Sequence, residues 1–160
     1  MNKKIIALEE LAGASQQIRQ AGKKLVVTNG CFDLLHVGHV RYLKSARQMG
    51  DALAVGLNGD RSVRELKGPG RPINNEKDRA EVLAALECVD LVVVFPEVRA
   101  TRFLETAAAD IYVKGGDYTV ETLDPEARAA LEEAGAEIKI VPFEPGYSTS
   151  QLIQKLKAAE

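Results

Sequence analysis

The chain has 160 residues, 46% of them apolar and 28% charged, with a net charge of −2. That balance fits one soluble globular domain with its own core. It excludes bulk nucleic-acid binding, since no long basic run occurs, and a spanning helix, since no apolar run approaches roughly 20 residues. The N-terminus, Met1 to Ile6, carries two lysines but no apolar signal-peptide region, and Cys31 and Cys88 read as reduced thiols rather than a disulfide frame. A cytoplasmic protein acting on small molecules, with no membrane or nucleic-acid partner, is the expectation.

In chain order, residues 8–21 read as an amphipathic helix, which we place in an N-terminal extension (1–22) of a single domain covering 1–160. Residues 24–28 form a short β-branched strand, 37–49 a helix stopped by Gly50, 52–57 a second strand and 59–66 a short helix. Residues 67–72, Lys-Gly-Pro-Gly-Arg-Pro, make a loop. Residues 75–86 are helical, with Asn75 as N-cap. A strand over 91–95, a helix over 100–109 and a strand over 111–113 follow. Asp124-Pro125 opens a helix that ends at Gly135. The last strand spans 138–141 and the last helix 148–158, where Ser148 and Gln151 form a capping box. Five short apolar strands alternating with helices predict an α/β, Rossmann-like, doubly wound parallel five-stranded sheet with helices on both faces. Ligands bind such sheets beyond the carboxyl ends of the strands, where the turns near residues 29–36, 58–60, 114–118 and 146–150 fall.

The first of these turns carries His36-Val37-Gly38-His39, and these are the only two histidines in the chain. Two imidazoles three apart at a helix start share a face. Free N–H groups and the positive dipole end there suit a phosphate, and Gly38 allows close approach to the backbone. Two other readings stand beside this one: an incidental pair, or a structural zinc held with Cys31 and Asp33. At the second turn, Asp60 either caps the next helix or bonds a substrate hydroxyl, with Asn58 beside it. Lys67 and Arg71 lie on a flexible loop suited to clamping phosphates, whereas Arg79 alone reads as a helix-surface residue. Lys114 follows a strand at the ligand edge, and Gly115-Gly116-Asp117 is either a backbone approach to a flat base or a plain turn. Ser148, Thr149 and Ser150 open the last helix with three hydroxyls, a second phosphate site or mere capping.

The pattern Gly30-x-Phe32-Asp33-x-x-His36-x-Gly38-His39 resembles the motif of cytidylyltransferase-like nucleotidyltransferases. From Lys23 onward the chain is similar to the adenylyltransferase domains of bacterial heptose-phosphate enzymes. That likeness is carried by residues 29–39, 66–72, 113–118 and 146–150. The resemblance implies transfer of AMP from ATP to a sugar 1-phosphate, heptose 1-phosphate, giving ADP-heptose for the lipopolysaccharide core and releasing pyrophosphate. It implies catalytic roles for His36, His39, Lys67 and Lys114. Nucleotide contacts fall to Gly30, Cys31, Phe32, His36, Gly38, His39, Arg79, Gly116, Asp117, Ser148, Thr149 and Ser150. Acceptor contacts fall to Asp33, Asn58, Asp60, Lys67, Arg71 and Lys114. Mg²⁺ would be held by phosphate oxygens and water, with no protein metal site. A homodimer fits the resemblance, as does a separate kinase chain supplying the sugar phosphate, since the matching stretch holds no kinase half. The rival is a cytidylyltransferase acting on glycerol 3-phosphate or another polyol or amino-alcohol phosphate. Such enzymes usually lack a basic residue at the place of Lys114 and carry arginine at the place of Phe143. A third reading is a non-catalytic nucleotide sensor, against which stand the intact histidines and hydroxyls. Departures from the family pattern are Gly59, often serine, and Ala109, often proline.

Overall fold

The computed structural model describes residues 2–116, 118–142 and 144–160, so Asp117 and Phe143, both singled out above, lie outside the described residues. The elements are β1 (Ile5–Ile6), α1 (Leu8–Gln20), β2 (Leu25–Gly30), α2 (Val37–Arg47), β3 (Ala52–Asn58), α3 (Asp60–Lys67), α4 (Glu76–Ala85), β4 (Leu91–Phe95), α5 (Thr101–Ala107), β5 (Ile111–Gly115), α6 (Pro125–Ala134), β6 (Glu137–Val141) and α7 (Thr149–Ala158). The strands form one parallel sheet in the order β1-β4-β3-β2-β5-β6. The expected α/β architecture is present, with a sixth strand where five were expected. β1 has only two residues, which align with Val92 and Val93 of β4, and the Val92 N–H donates to the Lys4 carbonyl at 2.8 Å. Two residues are too few to display a strand period, so the sequence offered no signal for it.

Each strand sends alternate side chains to opposite layers. Leu25 and Val27 of β2 pack with Leu11, Phe103, Leu104 and Leu131 of α1, α5 and α6, while Val26 packs with Leu43, Ala46 and Leu83 of α2 and α4. β3 shows why its residues differ in size by face. Leu53, Val55 and Leu57 fill the α2/α4 side, and Ala52, Ala54 and Gly56 the other. A Cβ on Gly56 would stand 2.7 Å from the Phe103 ring, so only hydrogen fits. Leu8 and Leu11 of α1 are buried in the same core. The N-terminal segment, expected as an extension, is therefore a packed layer of the domain.

Local chemistry sets the helix ends. Asn75 caps α4 by accepting the Asp78 N–H at 3.0 Å. Asp124 caps α6 by accepting from Glu126 and Ala127 at 3.1 Å, with Pro125 at the first helical position, and Gly135 ends the helix at φ +70°. Adjacent strands β2 and β5 feed opposite halves of the sheet, because β2 is followed by β3 on one side and β5 by β6 on the other. Their carboxyl ends therefore define the switch point where this architecture opens a crevice. Among the described residues no helix is long and apolar enough to cross a membrane.

Candidate active site

A cavity of about 770 Å³ lies at that switch point. Asn29, Gly30 and Cys31 enter it from β2 and its turn, Tyr112, Lys114 and Gly115 from β5, and Asn58 from β3. Its walls include the N-termini of α2, with His36, Gly38 and His39, and of α7, with Ser148, Thr149 and Ser150. Thr149 Oγ1 donates to the Leu34 carbonyl at 3.1 Å, which ties the start of α7 to the loop leading into α2. The structure thus brings together two helix starts separated by more than a hundred residues in the chain. Ser148 also caps α7, its Oγ accepting the Gln151 N–H at 3.0 Å.

The two imidazoles lie 3.9 Å apart, centroid to centroid. The His36 backbone N–H donates to His39 Nδ1 at 3.3 Å. Nδ1 is therefore the acceptor, and the neutral ring carries its proton on Nε2 as a donor. Burial, with the neighbouring His36 adding to it, pushes the His39 pKa down to about 4, and burial lowers that of His36 as well. Both rings are neutral near pH 7. His36 Nδ1 is buried without a hydrogen-bond partner among the described residues, an orphan that a ligand would satisfy. Gly38 is required by contact. A Cβ there would stand 2.9 Å from the His36 ring and 2.9 Å from Tyr147 Cβ.

The cations divide into two kinds. Lys67, at the end of α3, and Lys114 both line the cavity. Lys114 Nζ sits 4.7 Å from the centre of the Tyr118 ring, and burial, followed by the nearby Lys67 charge, lowers its pKa. Arg71 also lines the cavity, but its Nε donates to Asp33 at 2.8 Å. Asp33 lines the cavity too, but its carboxylate is already engaged by the protein. Its carboxylate also accepts the Ile73 N–H at 2.8 Å and the Asn74 N–H at 3.0 Å, with its side chain 1% exposed. Burial alone would raise its pKa, but the two backbone N–H groups and Arg71 hold it below the usual carboxylate range. The expected acceptor role of Asp33 is corrected to that of a loop anchor.

Arg79 and Asp60 require the same kind of correction. Arg79, expected at the nucleotide, has a side chain with 0% exposure. Its Nε donates to the Asn74 carbonyl at 2.9 Å. One terminal nitrogen donates to the carbonyls of Cys31 (2.7 Å) and Asn58 (2.8 Å), and the other to Asp60 Oδ1 at 2.8 Å. Asp60 is the first residue of α3, whose N-cap is Gly59, so it neither caps that helix nor faces the cavity. Asn58 lines the cavity, but its amide donates to Ser62 Oγ at 3.2 Å. The Gly116 N–H, expected near a base, is bonded to the Val141 carbonyl at 3.0 Å. No group of three side chains able to hold a metal stands among the described residues, and the suggested zinc set loses Asp33 to its loop.

The sequence reading missed several cavity residues. Arg99 and Asp124 approach from the α5/α6 side, where Arg99 is paired with Asp124 at 3.5 Å and Glu126 at 3.2 Å. Tyr42 presents its ring to Gly115, and its hydroxyl donates to the Val113 carbonyl at 3.0 Å. Tyr147 stacks with His36 at 6.1 Å. Tyr147 and Asn29 lie within recognised motifs, so proximity to motif residues was the available signal. Arg99 gave none, because only the sheet order brings α5 to this cavity.

Residues 27–155 match the model of the family described as cytidylyltransferase-like. The chain is 50% identical over 153 residues to the bifunctional protein HldE of Citrifermentans bemidjiense, and 49% identical over 154 residues to that of Geotalea uraniireducens. Each match covers 96% of this chain and 31% of the relative, so the chain spans about a third of the length of these relatives. It also resembles the crystal structure of the lipopolysaccharide core biosynthesis protein from Thermoplasma volcanium GSS1, with a TM-score of 0.63 and 29% identity. That match covers 77% of this chain and 98% of the other.

Proposed function

The chain belongs to the cytidylyltransferase-like family, and within it we propose that it transfers AMP from ATP to a sugar 1-phosphate, releasing pyrophosphate. The acceptor is heptose 1-phosphate and the product ADP-heptose. The observation that carries the reading is the joining of two helix N-termini, one with a histidine pair and one with three hydroxyl residues, on a single cavity. One end supplies backbone donors and a positive dipole for one group of phosphate oxygens. Two ends span a triphosphate. The kinship with HldE and with a lipopolysaccharide core biosynthesis protein supports the sugar-phosphate branch.

The acceptor phosphate oxygen attacks the α-phosphorus in line, the new P–O bond forms, and the bond to the leaving pyrophosphate breaks. No side chain needs to act as nucleophile. The work left to the protein is positioning and stabilisation of charge. His39 Nε2–H and His36 donate to oxygens whose charge grows in the transition state, while Lys67, the Ser148 and Ser150 hydroxyls and the backbone N–H groups at the start of α7 hold the outer phosphates. Lys114 steers the acceptor phosphate. With Asp33 and Asp60 engaged elsewhere, the sugar hydroxyls fall to Asn29 at the end of β2 and to the exposed Arg99 on the α5/α6 side of the cavity. A Mg²⁺ ion would be held by phosphate oxygens and water and would shield the charge on the leaving group.

A pyrophosphate-release screen of the four nucleoside triphosphates against sugar and polyol phosphates tests this. Turnover with ATP and heptose 1-phosphate is expected, with glycerol 3-phosphate poor. Turnover with CTP and glycerol 3-phosphate alone would move the chain to the cytidylyltransferase branch.

A further inference from the structure

We infer that Asp33 is a positioning residue that latches the cation-bearing loop to the histidine-bearing one; this rests on the nucleotidyl-transfer reading above. The loop between α3 and α4 has little else to define it. Gly68 and Gly70 adopt φ of +92° and +82°, and a Cβ at either would meet nothing within 4 Å. Such a segment loses much conformational freedom on ordering. Apart from the Arg79 bond to the Asn74 carbonyl at 2.9 Å, what holds it is concentrated on one residue. Asp33 accepts from Arg71 Nε, from the Ile73 N–H and from the Asn74 N–H, and its own carbonyl accepts Asn74 Nδ2 at 3.1 Å.

Asp33 stands three residues before His36, on the turn that aims the histidines. The same carboxylate therefore fixes the distance between two parts of the site: the imidazoles on one side, and Lys67 and Arg71 on the other, all lining one cavity. Charge-assisted bonds to a carboxylate that is 1% exposed are strong and directional, so the latch sets a geometry rather than merely adding stability. A triphosphate bridging the two parts would bind to a cation loop already in place, and the ordering cost would not be charged to binding.

The test is kinetic. Asp33→Asn keeps the size but removes the charge and one acceptor oxygen. The KM for ATP should rise about tenfold or more while kcat changes by less than about threefold and the acceptor KM stays fixed. If Asp33 acts through the loop, Asp33→Asn combined with Lys67→Ala should be little worse than Lys67→Ala alone. Fully additive effects would overturn the latch, as would an effect confined to the acceptor KM, which would mark Asp33 as a sugar ligand after all. Asp33→Glu, which keeps the charge but displaces the loop, is expected to give the same pattern if the asparagine variant does not fold. A readout independent of activity separates failure of the latch from failure of the assigned reaction. Amide hydrogen exchange at Ile73 and Asn74 should quicken in the variant, with β2 and α3 unchanged. Unaltered exchange at those two amides would refute the latch whether or not the protein transfers AMP.

Discussion

Replacing Arg79 by methionine, which keeps much of its length and none of its donors, separates a structural arginine from a nucleotide ligand. The side chain is fully enclosed, and its guanidinium satisfies the carbonyls of Cys31, Asn58 and Asn74 and the carboxylate of Asp60. Methionine would strand three carbonyls and one carboxylate. At roughly 1–1.5 kcal/mol for each carbonyl, the loss is about 3–5 kcal/mol. The carboxylate adds little, since its side chain is 33% exposed and water can reach it. At about 2–4 °C per kcal/mol for a domain of this size, Tm should fall by roughly 6–20 °C. Thermal and urea unfolding, followed by circular dichroism, measure it. A variant melting within about 2 °C of wild type, yet with weakened ATP binding, would refute the keystone role and restore the ligand role.

The other predictions concern the cavity. His39→Ala should fold normally and lose about 10²–10³-fold in kcat with little change in ATP affinity, measured by pyrophosphate release and calorimetry; near-normal turnover would remove His39 from the chemistry. Gly38→Ala should lower Tm, because the clash at 2.9 Å with the His36 ring and Tyr147 Cβ outweighs alanine's helix-propensity gain of up to about 1 kcal/mol. It should also lose turnover, since the new methyl displaces His36 and Tyr147. Chelation should abolish activity without a change in Tm, and a fall in Tm on chelation would point to a protein-held metal instead. His39 has its pKa lowered to about 4 in the folded protein, so between pH 6.5 and 4 the unfolded chain binds more protons. Stability is then fully present above about pH 6.5 and falls as the solution is acidified toward pH 4. Urea unfolding at pH 7.5 and 5 should differ by about 1 kcal/mol, a figure discounted for partial solvent exposure, and His39→Gln should remove most of that difference.

The parts of this site visible in the sequence are those whose chemistry is local. A strand, a glycine turn and His36-x-Gly38-His39 at a helix start are read from a dozen consecutive residues, and the structure builds them as read. The capping roles of Asn75, Asp124 and Ser148 are equally local, each acting within three residues. Asp33, Asp60 and Arg79 defeated the same reasoning for one reason. A charged residue near a ligand edge is compatible with binding a substrate or with binding the protein, and the difference lies in contacts 19 to 48 residues away. Arg79 is the plainest case, since its helix shows no period that marks its face as buried. β1 escaped because two residues cannot show alternation, and the α5/α6 wall because only the strand order brings it to β2 and β5.

The placement of charge in the cavity follows from these corrections. Two imidazoles 3.9 Å apart in a partly buried setting repel if both are protonated, and burial already favours the neutral form. At neutral pH the α2 end therefore offers neutral N–H donors, and the lysines Lys67 and Lys114 line the cavity around it, with Arg71 paired to Asp33. A neutral donor binds a ground-state phosphate oxygen less strongly than a cation does. Its hydrogen bond strengthens as that oxygen gains charge, which places its contribution in the transition state rather than in the Michaelis complex. On the proposed reading Lys67 would do the opposite task, drawing in an ATP that carries several negative charges. Removing a histidine should thus register in kcat, and removing Lys67 in KM. On that reading Asp33, by fixing where the Lys67 loop stands relative to the imidazoles, would keep those two tasks aligned on one triphosphate.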